Sequence, residues 1–165
     1  MRESIVEIVL VGLAGVVAVL AFASLLPRCS GGGSRSSRPV VRASWTLTPG
    51  VLNPDVTQAT IRSTICRSGF TRTIRPPVGY TNELKVKGLV AYHLRGPPSA
   101  FQEDHLISLE LGGSPDDPRN LWPEPYPRAS AVDRIENELN AKICSGRLTL
   151  EQAQAEESAL KHRDG

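Results

Sequence analysis

A run of twenty residues without a charged side chain, from Ile8 to Pro27, limits what the amino-terminal part of this chain can form. A helix of that length spans about 30 Å, which matches the hydrocarbon core of a bilayer. Two interpretations stay open, a transmembrane anchor and a signal peptide cleaved after Ala21-Phe22-Ala23. Acidic residues offset the only nearby arginine, Arg2, which is unusual for a signal peptide. The anchor is therefore preferred.

The segment after this run is rich in Gly, Ser and Arg. Such a sequence buries too little apolar surface to offset its ordering entropy, so we expect a flexible linker. The predicted organisation is an anchor or signal peptide over residues 1–27, a linker over 28–47, a folded domain over 48–161 and a tail over 162–165. Arginines without acids in the linker favour a cytoplasmic domain by the positive-inside tendency.

Composition limits the class of the folded domain. Of 165 residues, 40% are hydrophobic and 22% are charged, which is typical of a globular protein. The 14 Gly and 13 Pro indicate a loop-rich body and argue against a long helical bundle. A net charge of +2 is too small to indicate a nucleic-acid partner by itself. Basic residues prevail over 48–100 and acidic residues over 101–165, which suits a phosphate-binding surface beside a cation site or two ordinary solvated faces.

Hydrophobic periodicity and turn residues predict the following elements. We expect short helix over 53–65, loop over 67–78, an ambiguous segment over 81–92, strand over 105–111, loop over 114–127 and helix over 130–143. Ser130 and Asp133 form a capping-box pattern at the start of that helix, and Glu136 is expected on its solvated face. Thr149 and Gln152 predict the start of a final helix.

Two cysteines fall in the predicted domain, Cys66 and Cys144, each at the end of a predicted helix. A disulfide between them would stabilise the fold by about 4 kcal/mol in the chain-entropy model and would indicate an oxidising compartment. Two separate thiols are the alternative. The cysteines have no spacing typical of zinc ligands, so no structural zinc is expected.

Asp104 and His105 are the candidates for metal binding and catalysis. A carboxylate is a ligand that Mg²⁺ accepts, and a neutral imidazole takes a proton from water near neutral pH. Together they supply the groups needed to hydrolyse a phosphodiester. An Asp-His pair is common by chance, and in a regular strand the two side chains face opposite sides, so a buried core histidine is the alternative.

The spacing around this pair resembles the HNH endonucleases of the ββα-metal, or His-Me finger, type. Asp104-His105, an apolar run, Gly112-Gly113 and then Asn120-Leu121 match that pattern residue by residue. Weaker similarity to a small secreted or membrane-attached branch covers roughly residues 48–156. The resemblance implies an α+β fold with a ββα-metal core, a helix over 81–92 and a Cys66–Cys144 disulfide.

The resemblance also implies roles for single residues. His105 would be the general base, Asp104 a ligand of a divalent metal, Mg²⁺ or Mn²⁺, and Asn120 a brace that bonds the backbone of the loop positioning His105. Four basic residues are candidates for positioning phosphate, with ordinary surface charge as the alternative: Arg75, Lys85, Arg119 and Arg128.

The chain departs from the HNH pattern at two positions. Ala129 stands where a third His or Asn would complete the metal site, and an alanine cannot bind a metal. Asp133 is the nearest substitute ligand, in competition with its capping role. Ser108 stands where the resemblance leads us to expect a proline.

The sequence therefore predicts a metal-dependent endonuclease, with DNA as the favoured nucleic-acid substrate, in an extracytoplasmic domain that is anchored to a membrane or secreted. The hypothesis requires Asp104 and His105 to converge on one bound cation. The alternatives are a catalytically degenerate binding or structural module of the same fold and a disulfide-stabilised interaction protein without a metal. No sequence feature identifies a protein partner.

Overall fold

The computed structural model describes residues 40–165, and within this range helices surround a small sheet. The helices are α1 (Phe70–Ile74), α2 (Val78–Ala91), α3 (Arg128–Cys144) and α4 (Leu150–Arg163). The strands are β1 (Phe101–His105) and β2 (Leu121–Pro125). Three single turns of 3₁₀ helix lie at Pro98–Ala100, Leu109–Leu111 and Pro118–Asn120. This arrangement confirms the predicted α+β class.

The two strands pair antiparallel, from Phe101 opposite Pro125 to His105 opposite Leu121. The predicted strand over 105–111 is wrong, because β1 ends at His105 and the chain turns into the 3₁₀ helix at Leu109–Leu111. The predicted loop over 114–127 is also wrong in part, since it contains β2. Residues 106–120 form the long connection between the strands.

The predicted helix over 53–65 is a series of turns. Hydroxyl groups there bond the nearby backbone: Thr60 Oγ1 donates to the Asp55 carbonyl at 2.8 Å, and Thr64 Oγ1 donates to the Thr60 carbonyl at 2.7 Å. Such local bonds compete with a regular helix. Three apolar residues of this segment are buried all the same: Val56, Ile61 and Ile65. The predicted loop over 67–78 contains the short helix α1.

The ambiguous segment over 81–92 is helical, as part of α2. This helix packs across the sheet, and at Gly88 a Cβ atom would lie only 2.9 Å from the ring of Pro123 in β2. The close approach explains why a residue without a side chain occupies the middle of a helix.

The helix predicted over 130–143 is confirmed as α3, but its predicted capping box is wrong. The helix begins two residues earlier, at Arg128, and Ser130 lies in its first turn instead of capping it. Asp133 therefore takes no part in a capping box. In α4 the predicted capping box is present, because Thr149 accepts from the Gln152 amide and the Gln152 side chain accepts from the Thr149 amide.

The main hydrophobic core joins the turn segment, α3 and α4, and a disulfide closes it at one side. The structure confirms the Cys66–Cys144 bond, with the two Cα atoms 5.6 Å apart. It links residues 78 positions apart in the sequence, so it constrains the unfolded chain strongly.

The predicted membrane segment, residues 1–27, lies outside the described residues. Within 40–165, no helix combines the length and hydrophobicity needed to cross a membrane. The end of the predicted linker is part of the fold: Ala43 is buried, and its amide donates to the Lys161 carbonyl at 3.1 Å.

Candidate active site

A buried lysine lies at the centre of a carboxylate cluster beside the sheet. Lys161, in the last turn of α4, is fully buried. Its Nζ atom donates to Asp104 Oδ2 at 2.8 Å, to Glu136 Oε1 at 2.8 Å and to the His105 carbonyl at 2.5 Å. Glu157 Oε1 completes the surroundings at 3.2 Å. Three elements, β1, α3 and α4, thus meet around one ammonium group.

Glu157 is itself fixed by the loop after β1. Its two carboxylate oxygens accept from the amide of Ser108 at 2.9 and 3.1 Å. A proline at position 108 has no amide hydrogen and could not donate this bond. The departure at Ser108 therefore has a structural role, which is to hold the Glu157 carboxylate against Lys161.

The cluster has more carboxyl groups than ammonium groups, and the pKa values reflect this. Burial disfavours the charged form of Asp104, but the Lys161 ammonium and a hydrogen bond with the Glu124 carboxyl group together offset it, and the pKa of Asp104 lies below its usual value. Burial would lower the pKa of Lys161, yet Asp104 and the neighbouring glutamates raise it well above its usual value. Burial raises the pKa of Glu136 to about 9, although the nearby Lys161 ammonium lowers it.

Glu124, in β2, extends the cluster and has no conventional donor. Its side chain is fully buried, and neither of its carboxylate oxygens accepts a bond from an N–H or a hydroxyl group. Its neighbour is the Asp104 carboxyl group, and burial together with this contact raises the pKa of Glu124 to about 9. Two facing carboxyl groups need a proton or a cation between them.

Three carboxylates of the cluster lie close enough to bind one metal ion. One oxygen each from Asp104, Asp133 and Glu136 lies within 4.8 Å of the others. Gln102 touches two of them, since its Nε2 atom lies 3.4 Å from Asp133 Oδ1 and 3.5 Å from Asp104 Oδ1. Asp133 is thus next to Asp104, whereas Glu136, expected on the solvated face, is 9% exposed and bonded to Lys161. The prediction for Glu136 is wrong.

His105 is the last residue of β1 and is held in one orientation. Its Nε2 atom lies 3.0 Å from the Pro115 carbonyl. A carbonyl only accepts, so Nε2 carries the hydrogen and Nδ1 keeps its lone pair in the neutral ring. Burial lowers the pKa of His105, which favours this neutral form. Consecutive side chains in a strand project to opposite faces, and His105 is not one of the three clustered metal-binding residues. The cluster of three candidate ligands therefore includes Asp104 but not His105.

Asn120 fixes the connection between the two strands. Its side chain is fully buried, where Oδ1 accepts from the Ile107 amide at 3.0 Å and Nδ2 donates to the carbonyls of Ile107 and Ser114 at 3.0 and 2.9 Å. The loop between Ile107 and Ser114 is closed by these bonds, and Pro115, which holds the imidazole, follows directly.

The predicted phosphate-positioning residues do not form one group. Arg75 lines a surface cavity of about 490 Å³ and lies close enough to His105 to influence its pKa. Lys85 Nζ lies 3.4 Å from the Phe101 carbonyl, on the other part of β1. The exposed Arg119 guanidinium pairs with Asp117 at 2.7 Å, so its charge is already balanced. Arg128, at the start of α3, donates to the Gly165 carbonyl.

Ala129, where the HNH pattern has a third polar residue, is a core residue with 1% exposure. Three residues of the cluster are not predicted from the sequence: Glu124, Glu157 and Lys161. A signal for two of them exists, because positions 150, 153, 157 and 161 share one face of a helix whose first two members are apolar. Glu157 and Lys161 continue an inward-facing stripe, four residues apart, which is the spacing of a helical ion pair.

Searches of protein-family models, curated proteins and solved structures find no match to this chain.

Proposed function

We propose that the protein hydrolyses phosphodiester bonds of nucleic acid, DNA in preference to RNA, with a divalent metal as cofactor. The supporting observation is the end of β1, where a carboxylate cluster and a histidine of defined tautomer occupy consecutive positions. The resemblance to the HNH endonucleases supplies the reaction class, and under this proposal β1, β2 and α3 would form the ββα-metal core.

The carboxylate cluster fits a divalent ion by its chemistry. Asp104, Asp133 and Glu136 offer hard oxygen ligands within 4.8 Å of one another. The buried oxygens of Glu124 accept no bond from an N–H or a hydroxyl group, and this carboxyl group lies beside Asp104, so it adds further oxygen atoms to the cluster. An ion bound there would stabilise negative charge on the scissile phosphate and on the departing oxygen.

His105 is suited to activate the attacking water. With Nε2–H bonded to the Pro115 carbonyl, the lone pair of Nδ1 accepts a proton from water. The water oxygen forms the new bond to phosphorus, the bond to the 3′ oxygen breaks, and the proton remains on the imidazole. Asp104 and His105 are the last two residues of β1, so the substrate phosphate would lie at this end of the strand.

Arg75 gives the substrate a second contact near the histidine. It lines the 490 Å³ cavity together with Pro77, Tyr80 and Asp116. Asp116 directly follows Pro115, whose carbonyl holds His105. A guanidinium binds phosphate through paired N–H donors, so Arg75 is the strongest of the predicted positioning residues.

Cleavage of plasmid DNA and of RNA by the full-length protein, in Mg²⁺, Mn²⁺ or EDTA, tests the proposal. We expect cleavage with metal and none in EDTA, and His105→Ala should reduce the rate about 100-fold or more, the usual contribution of a general base. The matched control is His93→Ala, because His93 is an exposed histidine after α2. Absence of metal-dependent cleavage would refute the enzyme proposal, and full activity of His105→Ala would refute the assigned base.

One observation favours a second function, a binding or structural module that has lost catalysis. Lys161 already bonds one oxygen of Asp104 and one of Glu136, so two of the three candidate metal ligands are engaged. Under this alternative the protein binds DNA without cleaving it, and the binding is insensitive to EDTA. The same preparation distinguishes the two in a gel-shift assay run beside the cleavage assay.

A further inference from the structure

Lys161 places a positive charge where the proposed function needs a divalent ion. Its ammonium group lies 2.8 Å from both Asp104 and Glu136, two of the three candidate ligands. Two cations that share ligands in a buried site repel each other strongly. We propose that Lys161 is an internal cation that neutralises the cluster in the metal-free protein, and that a divalent ion binds in competition with it. This inference deepens the proposed function and takes its metal ligands from it.

Lys161 is not positioned to act on a substrate. Its side chain is fully buried, and its three N–H donors are directed to Asp104, Glu136 and the His105 carbonyl. Its influence is therefore on the cluster, where it balances charge while no other cation is bound. An uncompensated group of buried carboxylates would destabilise the fold.

The cluster has room for more positive charge than Lys161 supplies. Glu124 is fully buried without a conventional donor, and Asp133 has only the weak 3.4 Å contact with Gln102 among these residues. A divalent ion would satisfy these oxygens as well as those that Lys161 now holds. Lys161 offers one positive charge to three carboxylates. A divalent ion would offer two positive charges to a larger set of oxygen atoms, and the two cations compete for the cluster.

Displacement of Lys161 would have to loosen the last turn of α4, which ends at Arg163. The Ala43 amide donates to the Lys161 carbonyl, and Arg42 donates to the Arg163 carbonyl. His162 Nε2 lies 3.1 Å from the Thr48 carbonyl, and the Trp45 ring stacks on the imidazole with centroids 3.5 Å apart. Terminal helical turns open at a lower free energy than the core, so this turn is the part of α4 that would move.

Calorimetric titration of the full-length protein with Mn²⁺ alone tests the competition. Lys161→Met removes the charge and keeps most of the side-chain length, and we expect it to bind Mn²⁺ about tenfold more tightly or better than the wild type. Lys87→Met is the control, since Lys87 is exposed on α2 and its loss should leave the affinity unchanged. Equal affinities in wild type and Lys161→Met, or no binding by either, would overturn the proposal.

A second measurement uses the wild-type protein and does not depend on the folding of a variant. Lysines are acetylated with an N-hydroxysuccinimide ester and quantified by mass spectrometry, in EDTA and at increasing Mn²⁺. Lys161 should be protected in EDTA because it is buried, and its labelling should rise severalfold with Mn²⁺. Unchanged protection while Mn²⁺ binds would show that the lysine is not displaced. Neither experiment uses nucleic acid, so a failed nuclease assay leaves both results interpretable.

Discussion

Replacing Asn120 removes the side chain that closes the loop between the two strands. Asn120→Ala leaves three buried backbone groups without their partner, the amide and the carbonyl of Ile107 and the carbonyl of Ser114. At about 1 to 3 kcal/mol for each unsatisfied group, and allowing for partial relaxation, we expect a loss of about 4 kcal/mol in the free energy of unfolding. Small domains are stable by only about 5 to 15 kcal/mol, so the variant should fold with little margin.

Urea unfolding followed by far-ultraviolet circular dichroism measures this loss, with Asn137→Ala as the matched control. Asn137 is exposed on α3, and its substitution should change stability by less than about 0.5 kcal/mol. Asn120→Asp keeps the acceptor for Ile107 but turns a carboxylate toward two carbonyl oxygens, so its cost should be as large at neutral pH. That cost should shrink in acid, where the carboxyl regains a hydrogen. A loss below about 1 kcal/mol for Asn120→Ala would refute the argument.

Three further outcomes are expected. Arg75→Ala should slow DNA cleavage about tenfold or more, as loss of a charge-assisted phosphate contact predicts, whereas Arg119→Ala should have little effect because Asp117 already pairs with that guanidinium. Reduction of the disulfide should lower stability by about 4 kcal/mol. Gly113→Ala should prevent normal folding, since its Cβ atom would lie 1.7 Å from the Ile107 carbonyl, whereas Gly79→Ala meets no atom within 4 Å.

Each of these three predictions can be measured directly, and each has an outcome that would contradict it. Initial rates on plasmid DNA that are equal for the two arginine variants would remove Arg75 from the site. Urea midpoints that coincide with and without reductant would show that the disulfide adds no stability. Soluble Gly113→Ala protein with wild-type thermal stability would contradict the close approach of the two loop segments.

The sequence predicted the helices best where apolar spacing and capping residues agree. The Thr149 capping box is an example, whereas the helix over 130–143 was predicted correctly by its apolar spacing alone, and the disulfide was favoured by the family resemblance. The strands were harder, because β1 contains only one apolar residue, Phe101, and the apolar run after His105 packs as a loop around Asn120. The backbone of this loop bonds the side chain of Asn120, which is distant in the sequence. Local hydrophobic periodicity does not indicate such a contact.

The site was predictable only in part for the same reason. Asp104 and Asp133 were named from motif spacing, and the structure places them within reach of one ion. Glu136 was assigned to solvent because charged residues usually are, although it shares a helix face with Val132 and Leu139. A charged residue within an apolar stripe is stable only when it has a buried partner of opposite charge. The partner of Glu136 is Lys161, which lies 25 residues away on another helix.

The stacking of Trp45 on His162 gives this protein an internal optical probe. The two rings are inclined by only 5°, so the surroundings of the indole depend on the position of the imidazole. The second tryptophan, Trp122, is fully buried. A change in the emission of the exposed indole would therefore report separation of the two rings, one residue from the lysine, within a single titration cuvette and without any label.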